Sequence, residues 1–264
     1  LNPLNGTIAG GGNIEVDFSK GYVFGDASFN GTVSQAVVTN MGAGYAAAPS
    51  VGPAGAALWV ATAAVTTSAV RVANGQVYVC SVAGTTGATA PSHTSGTAAD
   101  GTATWLWVGA EGSVGTALTI TALTAGNQYF YGDNLYTCTV SGTPSAAAPP
   151  THTSGTAVSG SATFQYVGAA AKISLNYDAT NLVVRSATVT TAGSGYISSP
   201  TAVIVPLAAP TTALALTLPV YVAQTSGTTA NIQKSGAASV TGATTVIGDG
   251  RLGVPVTSNG GRYA

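Results

Sequence analysis

A segment that occurs twice constrains this chain more than any other feature. Residues 74–109 read NGQVYVCSVAGTTGATAPSHTSGTAADGTATWLWVG, and residues 133–168 read DNLYTCTVSGTPSAAAPPTHTSGTAVSGSATFQYVG. Tyr78 matches Tyr136, Cys80 matches Cys138 and Gly84 matches Gly142 at an offset of 58. From His93 and His152 onward the offset is 59, so the second copy has gained one residue near Pro149 and Pro150. Trp105 and Trp107 fall on Phe164 and Tyr166. A unit repeated with a loop insertion implies two copies of one small module.

A second repeat brackets the first. AVVTNMGAGYAAAPSV begins at Ala36 and ATVTTAGSGYISSPTAV at Ala187. Val38, Gly42, Gly44, Tyr45 and Pro49 align with Val189, Gly193, Gly195, Tyr196 and Pro200 at a constant offset of 151. The chain order is therefore outer, inner, inner, outer. Each unit places a Gly-rich turn and a proline between short alternating stretches. Glycine supplies positive φ at a turn and proline stops a strand, so the grammar is that of β-hairpins.

Composition supports an all-β class. Gly, Ala, Thr, Ser and Val dominate the 264 residues, alongside 11 Tyr and 3 Trp. Thr, Val and aromatic residues favour strands, while abundant Gly disfavours helices. The expected strand content exceeds ~40%, with helix under ~10%. Only 6% of residues are charged, with a net charge of −1, against roughly 25% charged in ordinary soluble domains. There is no basic cluster for nucleic acid and no apolar run of ~18 residues for a membrane helix. The opening LNPLNGTIAGGG has no basic and then apolar stretch, so no signal peptide is expected there. Charge keeps monomers apart, and a chain this poor in charge is expected to self-associate as a homo-oligomer, a trimer.

The expected layout is an arm with one strand (1–27), half of an outer β unit (28–60), two inner modules (61–112 and 113–171), the other half of the outer unit (172–222) and a tail (223–264). The outer halves are expected to pair into one discontinuous domain in which the inner tandem is inserted, with beads on a string as the competing picture. The stretch KISLNYDATNLVVRSATV from Lys172 is expected to form a hairpin turning at residues 178–181. The arm or the tail is expected to cross onto a neighbouring subunit.

The chemistry-bearing residues are few. His93 and His152 sit at one position of the repeat, but the acid that follows the first, Asp100, is Ser159 in the second copy. A working acid–base pair needs both members, so the imidazoles are expected to serve turn hydrogen bonds. One His and one Cys per copy are too few for zinc. Cys80 and Cys138 are expected to be compact core residues sharing a face with Tyr78 and Tyr136, without a disulfide between them. The pairs Trp105 and Trp107, and Phe164 and Tyr166, lie two apart on a strand and so share a face. Buried, they are module core; exposed, they are candidate glycan-stacking residues. The acidic residues are scattered, with no glycosidase dyad, no Gly-x-Ser-x-Gly elbow and no phosphate loop. No catalytic residue, cofactor or metal is expected.

The pattern Tyr-x-Cys…Gly-Thr…Pro-x-His-Thr-Ser-Gly…aromatic-x-aromatic-Val-Gly resembles a module of tailed-bacteriophage virion proteins, of the head-decoration and tail or fibre types. The Val-Thr…Gly-x-Gly-Tyr…Pro unit is similar to short repeats in phage and bacterial surface proteins. The strand with Val77-Tyr78 or Leu135-Tyr136 and the closing Trp105 or Trp107 is also similar to type-3 chitin-binding modules, although the second copy closes with Phe164 or Tyr166. The first resemblance implies a non-enzymatic virion protein bound to capsid or tail partners. The resemblance to chitin-binding modules implies the alternative, a carbohydrate-binding adhesin or receptor-binding protein whose repeat modules take host-surface glycans; the expected location is the virion, otherwise extracellular.

Overall fold

In the computed structural model, residues 31–218 are described throughout, with the strand backbone at 220–222, 230–233, 239–242, 245–247 and 251–253. The chain divides into two units, residues 30–221 and residues 1–29 with 222–264. In the latter, Ala230–Gln233 pairs with Ser239–Gly242 and Thr245–Ile247 with Arg251–Gly253, two antiparallel hairpins. The expected strand around Ile14, Val16 and Phe18, and any crossing of arm or tail to a neighbour, lie outside the described residues.

The class is all-β: the described residues contain no helix, and their strands form many small sheets. Each inner module is built on a central strand, Gln76–Val82 or Asn134–Val140. In the first module, Val77 and Val79 face one core and Tyr78 and Cys80 another, so alternation buries both faces. Its antiparallel neighbours are Val70–Ala73 and Ala103–Ala110, with Thr97–Asp100 at the edge. The second module repeats this with Gln128–Tyr131, Ala162–Ala169 and Thr156–Ser159. The registers agree to the residue: Trp105 is opposite Cys80, and Phe164 opposite Cys138.

Turn chemistry explains these ladders. Asn74 and Gly75 both have positive φ, 49° and 72°, the type I′ geometry favoured by Asn-Gly. The matching two-residue turn at Gly132 and Asp133 has positive φ at the glycine alone, 61°, as type II′ requires. The structural repeat begins before the identity does. Ser68 N–H donates to the Cys80 carbonyl and Gly126 N–H to that of Cys138, each at 2.7 Å. The first module also takes Ala56–Leu58 as a parallel neighbour of Val70–Ala73, so its sheet starts before residue 61.

The modules are not beads on a string. One hydrophobic cluster runs from Val79 and Leu106 of the first module, through Val114 and Leu118, to Phe130 of the second and Val205 of the outer unit. Phe130 N–H donates to the Thr116 carbonyl and Leu118 N–H to that of Phe130, both at 2.9 Å. Burying such side chains contributes roughly 1.5–3 kcal/mol each.

The outer repeats form a pseudo-two-fold pair. Ser50–Gly52 lies antiparallel to Val203–Val205 with Gly52 opposite Val203, two residues separated by the repeat offset itself. A local dyad therefore passes between them. Reciprocal bonds obey it. Tyr45 N–H donates to the Leu182 carbonyl at 3.0 Å and Tyr196 N–H to that of Gly31 at 3.1 Å; Val184 N–H reaches Met41 at 3.2 Å and Val33 N–H reaches Ala192 at 2.9 Å. Every residue in one bond maps onto its counterpart in the other at offset 151. Each outer copy is thus closed by the other.

The copies also share a partner strand that identity does not reveal. Val183–Thr191 pairs with Lys172–Asp178, and Val37–Asn40 with Ala215–Thr217. Val189 is opposite Ile173 and Val38 opposite Leu216, with the same register slip beside each. This equates ALALTL from Ala213 with AAKISL from Ala170. In one copy the strand precedes the repeat in sequence; in the other it comes from the far end of the unit.

Candidate functional site

Each outer repeat folds its Gly-x-Gly-Tyr into a corner. Gly42 and Gly193 both have φ of 64°, and a Cβ there would lie 2.7 Å from the Tyr45 ring or 2.9 Å from the Tyr196 ring. Only glycine allows the backbone this close to the aromatic. The two hydroxyls accept backbone N–H groups from Leu214 and Ala171, each at 2.7 Å. The corner of the second copy is also bound to the second module. Gln128 Nε2 donates to the Gly195 carbonyl at 2.6 Å, and its Oε1 accepts from Ile197 N–H at 3.1 Å. The first module has Val70 at that position, so the repeat pattern did not single Gln128 out.

The inner modules carry the candidate site, a histidine loop docked on the central tyrosine. Tyr78 Oη donates to the His93 carbonyl and Tyr136 Oη to that of His152, both at 2.9 Å. Each imidazole tilts over its tyrosine ring, with centroids 4.9 and 5.0 Å apart and planes at 43° and 44°. His152 Nε2 lies 3.1 Å from the Phe164 carbonyl. Its Nδ1 and both ring nitrogens of His93 are buried without a hydrogen-bond partner. Burial pushes the His93 imidazole below its usual range; the Trp105 and Gly96 carbonyls near it act the other way without reversing this. The loop then returns to the sheet: Gly96 accepts from Trp107 N–H and Gly155 from Tyr166 N–H, each at 3.0 Å.

Of the four candidate glycan residues, Trp105 and Phe164 are completely buried. Neither has a face to offer a sugar ring, which corrects the stacking-platform expectation for both. They close the module on Cys80 and Cys138 instead. Trp107 and Tyr166 are partly buried. The Trp107 indole donates to Gln76 Oε1 at 2.7 Å and meets Tyr131 edge-on at 6.0 Å, joining the modules; Tyr166 meets Tyr136 edge-on at 6.0 Å.

Asp100 is not an acid partner of histidine. Its carboxyl oxygens accept the indole N–H of Trp59 at 2.7 Å, that of Trp105 at 2.9 Å and Gly87 N–H at 2.6 Å. In the second module Phe164 has no indole N–H, and Ser159 stands where Asp100 does. Its hydroxyl accepts from Ser145 N–H at 3.1 Å and donates to the Ala148 carbonyl at 2.7 Å. The acid is there because the indoles are. The signal was available in sequence as the joint change of Trp to Phe and Asp to Ser.

Both cysteines are free and buried, each thiol donating to a carbonyl two residues on, Val82 at 3.1 Å and Val140 at 3.2 Å. Burial pushes both thiols up, away from the thiolate that nucleophilic chemistry requires. Among the described residues no group of three or more His, Cys, Asp or Glu side chains converges on a metal-sized site.

Fold and site together define a duplicated all-β scaffold whose recurring polar side chains bind their own loops. Comparison with protein-family models, curated proteins and solved structures gives no match to the chain.

Proposed function

We propose that this chain is a non-enzymatic structural protein of a bacteriophage virion, which binds and stabilises or decorates the capsid or forms part of the tail or fibre. One observation carries the reading. The residues common to both modules — Tyr, Cys, His and the closing aromatics — are spent on internal packing and hydrogen bonds, on a chain with only 6% charged residues. Recurrence without outward chemistry belongs to a scaffold. Self-association, as a trimer, and docking on other virion proteins then rest on strand pairing and apolar contact.

The test is the fraction of protein retained on purified particles across a salt series from about 0.1 to 1 M, over which screening shortens from ~10 Å to ~3 Å. Retention is expected to change little. Substituting His93 and His152 together leaves retention at neutral pH nearly intact, while truncating the arm or the tail abolishes it. Ready release at moderate salt, or absence from particles altogether, overturns the reading.

A further inference from the structure

The histidine loops carry a property beyond scaffolding. In both modules a titratable ring is laid on the central tyrosine with nitrogens buried and unpartnered. The Phe164 carbonyl can only accept, so the hydrogen of neutral His152 sits on Nε2, and Nδ1 is bare. Protonation would add an N–H at Nδ1, where no acceptor waits. Neither ring nitrogen of His93 makes a hydrogen bond, and the Trp105 and Gly96 carbonyls near the ring offset its burial only in part.

No charge nearby offsets this. His93 faces the Tyr78 ring and the carbonyls of Trp105 and Gly96. The strands of its sheet carry two charged residues, Arg71, opposite Tyr78, and Asp100, whose carboxyl group is engaged by Trp59, Trp105 and Gly87. His152 faces the Tyr136 ring, with Tyr166 beyond it, and the Phe164 carbonyl. The four strands of its sheet carry no charged residue, and Asp133 in the adjoining turn is paired with Lys172.

We propose that the two tyrosine–histidine pairs are acid-released catches: neutral imidazoles hold the loops at residues 91–96 and 151–155 on their modules, and protonation lets both go. The sign follows from burial. Burial holds the His93 ring below the ordinary histidine value of ~6.5, so docking of its loop is complete above that value and is lost as pH falls through the lower folded one. Release uncovers Tyr78 and Tyr136. In the first module it also frees Gly96 from Trp107, whose ring meets Tyr131 of the second. The device is independent of what the protein binds.

Amide hydrogen exchange on the full chain tests it, between pH about 7.5 and 4.5, spanning the histidine range, after correction for the intrinsic pH dependence of exchange. The Trp107 and Tyr166 amides, which donate to the Gly96 and Gly155 carbonyls of the loops, are expected to lose protection at least ~10-fold on acidification while Gln76–Val82 and Asn134–Val140 keep theirs. In the His93→Gln, His152→Gln variant a neutral amide faces the same carbonyls, and the acid step disappears. Protection that persists to the lowest pH in the native chain, or an acid step that survives in the variant, overturns the proposal. Proton NMR titration of the native His93 imidazole is a second measurement, free of any folding defect in the variant; a ring that titrates at or above ~6.5 also overturns the proposal.

Discussion

Tyr45 and Tyr196, 151 positions apart, accept a backbone N–H at the same distance, 2.7 Å, from Leu214 and Ala171 respectively. Both rings are buried under a left-handed glycine, and both donors immediately precede the strand that pairs with their repeat. The two corners are one device used twice around a local dyad.

Tyr45→Phe and Tyr196→Phe should therefore cost alike. Each leaves a buried N–H without its acceptor, a loss of about 1–3 kcal/mol. Urea unfolding of the two single variants is the measurement. A large cost at one site with none at the other would break the equivalence.

Asp100→Ser should be strongly destabilising alone, because two indole N–H groups and Gly87 N–H lose a carboxyl acceptor. Combined with Trp105→Phe it reproduces the pair found in the second module, Ser159 with Phe164. The double variant should be more stable than the sum of the singles implies, by about 0.5–3 kcal/mol for residues in one network. Recovery stays partial, since Trp59 is still unpaired. Strict additivity in a double-mutant cycle would show that the indoles do not require the acid.

The turn at Asp178 gives a pH dependence of defined sign. The Asn181 side chain first, then its backbone N–H and Arg185, hold the Asp178 carboxyl well below the usual carboxylate range. A depressed folded value means that the contribution is present above the unfolded value of ~3.9 and is lost as pH falls through the folded one. The group is at the surface, so the effect is modest and weakens with salt. Asp178→Asn should lower stability modestly at neutral pH, where that contribution is fully present, and should flatten the acid limb of the profile. An unchanged acid limb in thermal melts would refute the assignment.

The sequence by itself determined the local structure. Alternation in VYVCSV and LYTCTV placed Tyr and Cys together on a buried face, and Asn-Gly and Gly-x pairs marked two-residue turns, because side-chain period and turn φ are properties of adjacent residues. The hairpin over 178–181 was legible for the same reason: Asp178 caps Thr180 and Asn181 within its own turn. What only the tertiary structure decided involves residues far apart in the chain. Trp105 and Phe164 could have faced solvent or core on periodicity alone; burial took them out of reach of any sugar. The dyad between Gly52 and Val203, the clamp from Gln128 to the Gly195 corner and the strand that Ala215–Thr217 lends to the first repeat were invisible as identity. Strand pairing there is made by backbone groups, which every residue but proline carries in full, so the partner of a strand is chosen by where the chain returns and not by what its side chains spell.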